Sequence, residues 1–192
     1  YVFQEFLKTL GEVIQINTHL GYIGSLDKDG SAGDHTIYYA DWQYEIIYHV
    51  VPLMPNDSYD EQQVKKKRHV GNDIVHIVWS DHWRGYRLDT MRTQFSFVII
   101  VIYPLTNRLF KVKVLKKIPI ECGPLQNGMV VPWEVLGNLV RQTAINANQQ
   151  VRLFKHPNFE KQSQFRIKEI QETINRYLVS DCKKHQVYSS MF

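Results

Sequence analysis

The spacing of hydrophobic positions changes several times along the chain, and each change marks an element. Phe3, Phe6, Leu7, Leu10, Val13 and Ile14 recur at three- and four-residue intervals, which predicts an amphipathic helix over residues 1–16, interrupted only by Gly11. The stretch GYIGSLDKDGSAGDH reads as turns around a short strand, and TIYYADWQYEIIYHVVPLMP then supplies two β-rich runs parted at Ala40-Asp41, a hairpin pattern. Residues 56–71 lack a broad apolar face. Their acidic start and basic finish nevertheless suit the helix macrodipole, so a short helix stopping at Gly71 is expected. Strand patterns follow at 74–79, 95–103 and 109–115, the last setting Phe110, Val112 and Val114 opposite Lys111 and Lys113. Helical spacing returns through Val135, Leu136, Leu139, Val140, Ala144 and Ala147 behind Pro132, and again over 158–179 through Phe159, Phe165, Ile170, Ile174, Tyr177 and Leu178.

Strands between helices at both ends predict an α/β or α+β domain on a central sheet. The length of 192 residues fits a single domain by a prior of about 150 residues each. An apolar share of 44% against 22% charged residues argues for a folded core rather than a disordered tail. The longest strongly apolar run, residues 97–103, is of strand length, so no spanning helix and no membrane insertion are expected. Cys122 and Cys182 stand far apart with no metal-ligand ladder, which suggests a reducing, cytoplasmic setting. Tyr1 at the start and the lack of a leader pattern suggest a segment of a longer chain.

The net charge of +4 is matched by one run, Lys65, Lys66, Lys67 and Arg68. A nucleic-acid surface usually spreads its cations and interleaves them with aromatics, whereas this run is single and acidic-flanked, so nucleic acid is not the expected partner. His69 and His76 lie seven apart across a helix-to-strand break, and His49 and His82 belong to other elements, so no metal set forms. Neither a Gly-x-Ser-x-Gly elbow nor a phosphate-binding glycine loop is present. What remains is Asn72, behind the cations and ahead of a strand. Its carboxamide can accept from a water while donating to a phosphate oxygen, or it can simply end the helix by bonding local backbone.

The stretch KKRHVGNDIVHIVW resembles the signature of the Rap/Ral/Rheb-type GTPase-activating family, Lys-Arg-His-(Ile/Leu)-Gly-Asn-Asp before a strand. Lys67, Arg68, His69, Gly71, Asn72 and Asp73 match it, and Val70 departs conservatively. HIVWSDH, VIIVIYPLTNRLF, CGPLQNGMVV and VRQTAINAN resemble, in order, the Ral-directed catalytic α subunits of that family, extending the likeness over at least residues 36–150. The resemblance implies a central mixed sheet flanked by helices in a GTPase-like catalytic subdomain over 36–192, with 1–35 as a helix and loop of an adjoining part. It implies an asparagine thumb, Asn72, with His69 and Arg68 beside it at the reaction centre. Lys65, Lys66, Lys67 and Asp73 would meet the GTPase, and Gly71 and Arg141 would give structural support. No cofactor or metal of its own is implied, GTP and Mg²⁺ being carried by a Ral-type small GTPase, and a β subunit is a further implied partner. Two alternatives stay open: Arg68, four residues before Asn72, as an arginine finger, and a docking module of the same fold that catalyses nothing.

Overall fold

A computed structural model describes residues 2–87, 90, 93–156 and 162–177. The chain forms two compact units, divided between Phe154 and Lys155. The first opens with helix α1 (Val2–Leu10), which buries Phe6, Leu7 and Leu10, and continues into strand β1 (Glu12–Gln15). The helix expected over 1–16 therefore ends six residues early. Its cause is Gly11: a Cβ there would stand 2.2 Å from the Tyr38 carbonyl oxygen, and this close approach lets the chain turn from helix into strand. Val13 then faces solvent and Ile14 is half-buried instead of extending the apolar stripe.

The strands divide between two sheets rather than building one central sheet. Strands β1, β2 (His35–Ala40) and β3 (Glu45–Tyr48) form an antiparallel sheet in that order. The β2–β3 hairpin is the expected one, and Asp41 Oδ1 closes it by accepting from the Gln43 and Tyr44 backbone N–H groups. Residues 17–34, between β1 and β2, hold turns but no strand, so the short strand expected there does not form. Instead Ile16, Leu26, Ala32 and Met54 make a small apolar cluster that seats this segment, with Ile23 and Ile47 against it.

The second sheet is mixed. Strand β4 (Val75–Trp79) runs parallel to β5 (Val98–Pro104), while β6 (Leu109–Lys116) and β7 (Val130–Pro132) continue antiparallel in the order β4-β5-β6-β7. Five consecutive residues of β5, Val98 to Ile102, are at most 1% exposed, as a strand covered on both faces requires. In β6 the predicted alternation holds, with Phe110, Val112 and Val114 buried and Lys111 exposed.

Helix α3 (Trp133–Lys155) starts directly after Pro132 and buries Leu136, Val140, Ala147 and Val151 in the same core as α1 and β5. Val135, assigned to its apolar stripe from sequence, is exposed. Trp79 joins the layers through Phe3, Phe6 and Phe110, at ring separations of 5.9, 5.2 and 5.7 Å. In the second unit, helix α4 (Gln162–Tyr177) carries the predicted positions Phe165, Ile170, Ile174 and Tyr177. The outer ends of that expected helix, 158–161 and 178–179, and Cys182 lie outside the described residues.

Replacing Gly11 by alanine should drive Cβ into the Tyr38 backbone and cost about 1–3 kcal/mol, in the range of core overpacking. Thermal unfolding of Gly11→Ala is expected to show a lowered Tm. An unchanged Tm would mean that this junction is loose.

Candidate functional site

Helix α2 (Val64–Val70) is only seven residues long, and polar groups outside it determine both ends. At its start the Asp60 carboxylate accepts from the backbone N–H groups of Val64 (2.9 Å) and Lys65 (2.8 Å). These bonds, led by that from Lys65, hold Asp60 below the usual carboxylate range. The acidic stretch thus lies ahead of the helix and caps it, rather than forming its first turn. At its end Gly71 remains right-handed (φ −63°) and donates to the Lys67 carbonyl at 2.7 Å. The Val70 carbonyl accepts from the Asp73 N–H and from His76 Nε2 (3.0 Å), and the Gly71 carbonyl from the Thr93 hydroxyl (2.5 Å). The Val70 and Gly71 carbonyls at the helix end are thereby taken up, so the 71–73 turn is held by its backbone.

Asn72 stands exposed on this turn, at the rim of a cleft of about 610 Å³ that Tyr22, Gly24, Glu45, His49 and Asp73 also line. Its carboxamide has no hydrogen-bond partner among the described residues, and it presents both an acceptor and donors at the cleft rim. The backbone bonding proposed for a helix-ending asparagine is not made by its side chain.

The cations behind it behave differently from one another. Arg68 Nη2 bonds Asp27 Oδ2 at 2.5 Å and Ser31 Oγ at 3.3 Å, which ties α2 to the 17–34 segment. Lys65 pairs with Asp57 and Lys66 with the Asn56 side-chain oxygen, both at 2.5 Å. Lys67 is exposed and has no partner among the described residues. His69 is turned inward and buried; burial first, then the Arg68 charge, lowers its pKa, and its Nε2 has no described hydrogen-bond partner. A neutral ring beneath the helix is the result.

Asp73 does more than close a turn. Its Oδ2 lies 2.9 Å from Nδ1 of His49, the residue after β3, and Nε2 of that ring lies 2.9 Å from the Gly24 carbonyl. Two acceptors on one imidazole require both nitrogens to carry protons. Burial is the largest influence on the ring and opposes its charge, but the Asp73 carboxylate, the Gly24 carbonyl and the His69 backbone outweigh it, leaving the pKa above the ordinary 6.5. Gly24 is suited to this place: its φ is +57° and a Cβ would stand 2.3 Å from Ile47. Neither His49 nor Gly24 stands out in the sequence. The contacts span 24 and 25 residues and have no local spacing signal.

Arg141 belongs to another junction and does not line the cleft. Its Nη1 donates to the carbonyls of Thr9 (3.0 Å) and Leu10 (3.2 Å) at the end of α1, and its guanidinium lies 4.0 Å from the Tyr39 ring centre. No group of three or more His, Cys, Asp or Glu side chains fit to hold a metal occurs among the described residues. Cys122 is buried and its thiol is pushed up by burial, unlike an activated nucleophile. No helix among the described residues is long and apolar enough to cross a membrane.

The chain is similar in sequence to several GTPase-activating proteins. It is 43% identical over 151 residues to the human Ral GTPase-activating protein subunit alpha-1, an alignment that covers 78% of this chain and 7% of that protein. To the probable Rho GTPase-activating protein CG5521 of Drosophila melanogaster it is 46% identical over 151 residues, covering 78% and 8%. The chain therefore spans less than a tenth of the length of these relatives. Its fold matches the solved TSC2 GAP domain with a TM-score of 0.74 at 30% identity, over 80% of this chain and 84% of that one. The Rap/ran-GAP family model matches residues 1–172, an interval that includes both sheets and the Asn72 turn, and the chain belongs to the Rap/ran-GAP family.

Proposed function

We propose that this chain is the catalytic domain of an activator that accelerates GTP hydrolysis on a Ral-type small GTPase, with the Asn72 carboxamide as the group it inserts. The observation that carries this reading is the contrast between two side chains four residues apart. The Asn72 amide is exposed at the cleft rim and has no partner among the described residues, whereas the Arg68 guanidinium is paired with Asp27 and Ser31. To act as a finger, Arg68 would first have to leave an anion; Asn72 gives up no bond.

Small GTPases hydrolyse GTP slowly because the attacking water is poorly oriented and the developing phosphate charge is incompletely stabilised. In the proposed complex the Asn72 carbonyl accepts from that water and turns its lone pair toward the γ-phosphorus. The amide N–H donates to a γ-phosphate oxygen. A neutral amide takes no proton, so its contribution is orientation and hydrogen bonding. GTP and Mg²⁺ are carried by the partner, and no cofactor of this chain takes part. Arg68 and His69 hold the helix, and Lys67 is the cation best placed to meet an acidic GTPase surface. We extend to this chain, from relatives named alpha subunits, the expectation of a second subunit.

The test is GTP hydrolysis by Ral, Rap, Rheb and Rho proteins with the wild-type chain, Asn72→Ala and Arg68→Ala. Inserted side chains contribute about 10³–10⁵ in rate, or about 4–7 kcal/mol. Asn72→Ala is expected to lose stimulation on that scale while still binding the GTPase, and Arg68→Ala to lose no more than about tenfold. Near-normal turnover by Asn72→Ala would remove the thumb reading. Binding without turnover by the wild type would identify a docking module instead. In stopped-flow association, Lys67→Glu should slow encounter at low salt, with the difference fading at about 0.5 M salt as the charges are screened.

A further inference from the structure

With no partner for its side chain among the described residues, Asn72 takes its aim from the backbone of the 71–73 turn. Beside the bonds that Asp73 N–H and His76 Nε2 make to the Val70 carbonyl, three contacts hold that turn. Thr93 donates to the Gly71 carbonyl, Phe97 and Val98 donate to the Ile74 carbonyl, and His49 bridges Asp73 to Gly24. The first two are neutral and indifferent to pH. The third is ionic, and the His49 side chain is only 12% exposed.

We propose that His49 is a positioning residue for the Asn72 turn: as an imidazolium it donates to the Asp73 carboxylate and the Gly24 carbonyl together, and stimulated GTP hydrolysis requires that proton. The inference rests on the reading of Asn72 as the inserted amide. A neutral imidazole has one N–H and can serve only one of the two acceptors. Deprotonation therefore opposes a ring lone pair to a carboxylate or to a carbonyl, and either the turn, through Asp73, parts from His49 or the 17–34 segment, through Gly24, shifts away. Gly24 supports the same assignment independently, because only a residue without Cβ brings its carbonyl this close beneath Ile47.

Other titratable groups surround the ring. Asp73 faces it from the turn and His69 from α2, and the Arg68–Asp27 pair lies beyond, acting on His69. Glu45 of β3, His76 of β4 and Arg152 of α3 line the same cleft. Burial lowers the pKa of both His69 and His76, so these rings are already neutral where His49 still carries its charge. A group with a raised folded-state pKa contributes its stability in full below the unfolded value, 6.5 here, and loses it as pH rises through the folded value. The expected window is thus neutral to alkaline.

The test combines NMR titration of the His49 ring with single-turnover hydrolysis of Ral·GTP by the 192-residue chain from about pH 6 to 9. The ring should titrate above 6.5. The maximal stimulated rate should fall through the same pH, with the half-saturating concentration of activator little changed. His49→Gln carries its donors on one nitrogen and so cannot span the two acceptors as the imidazolium does, and it has no titrating proton. It should lower the maximal rate by about ten- to a hundredfold, as small misplacements do, and flatten the alkaline limb. Gly24→Ala should lower the rate in the same direction. A ring titrating at or below 6.5, a wild-type rate with no alkaline limb, or a limb that persists in His49→Gln would each overturn the proposal. If His49→Gln does not fold, coincidence or disagreement between the wild-type rate profile and the ring titration decides alone. Absence of stimulation by the wild type at every pH removes the proposed function along with this kinetic dependence, whereas a low ring pKa with normal stimulation removes the clamp only.

Discussion

The parallel pairing of β4 with β5 is the constraint on which the site depends. Parallel neighbours must be approached from the same end, so the chain leaving α2 has to join β4 beside the start of β5. The Ile74 carbonyl marks the joint, accepting from Phe97 (2.9 Å) and Val98 (3.2 Å). Because β5 is buried on both faces, its position is fixed by the whole core. Asn72, two residues before that joint, is therefore a short polar extension of the most rigid part of the molecule. Preorganisation of this kind suits the role proposed for Asn72, to which aim is the whole contribution.

The same geometry bears on why a strongly basic helix leads into an exposed neutral amide. Each cation beside an anion lowers the cost of holding a seven-residue helix that propensity alone would not support. Asp57, Asn56 and Asp27 take up Lys65, Lys66 and Arg68, so most of the positive run is used within the chain. Surface pairs of this type are individually weak. Their effect here is geometric: they orient α2 against the 17–34 segment and keep the guanidinium away from the amide. Arg68 is engaged by Asp27 and Ser31, whereas Asn72, four residues on, stands exposed at the cleft.

What could be read from the sequence follows the range of the interactions involved. Strands β4, β5 and β6, the β2–β3 hairpin and α3 were legible because each is governed by local periodicity or a turn signal. The Lys-Arg-His-x-Gly-Asn-Asp motif made Asn72 legible through family likeness. Helix α1 was overextended because Gly11 looks like a tolerated interruption until Tyr38 is seen against it. The split into two sheets was not legible either, since edge-to-edge pairing has no signature within one strand. His49 is the clearest loss: an isolated histidine after a strand reads as an ordinary surface ring, and its meaning comes entirely from a carboxylate 24 residues later.

The Ile74 joint also separates the molecule by timescale. The amides of Phe97 and Val98 sit at the start of a strand buried on both faces, where exchange with solvent is expected to require opening of the core. The 17–34 segment is seated by a small cluster and a few polar contacts, and opens locally at far lower free energy. The turn bearing Asn72 lies on the boundary between a slow foldon and a fast one. Its far side inherits permanence from β5, and its near side can be adjusted by whatever binds or modifies the loop.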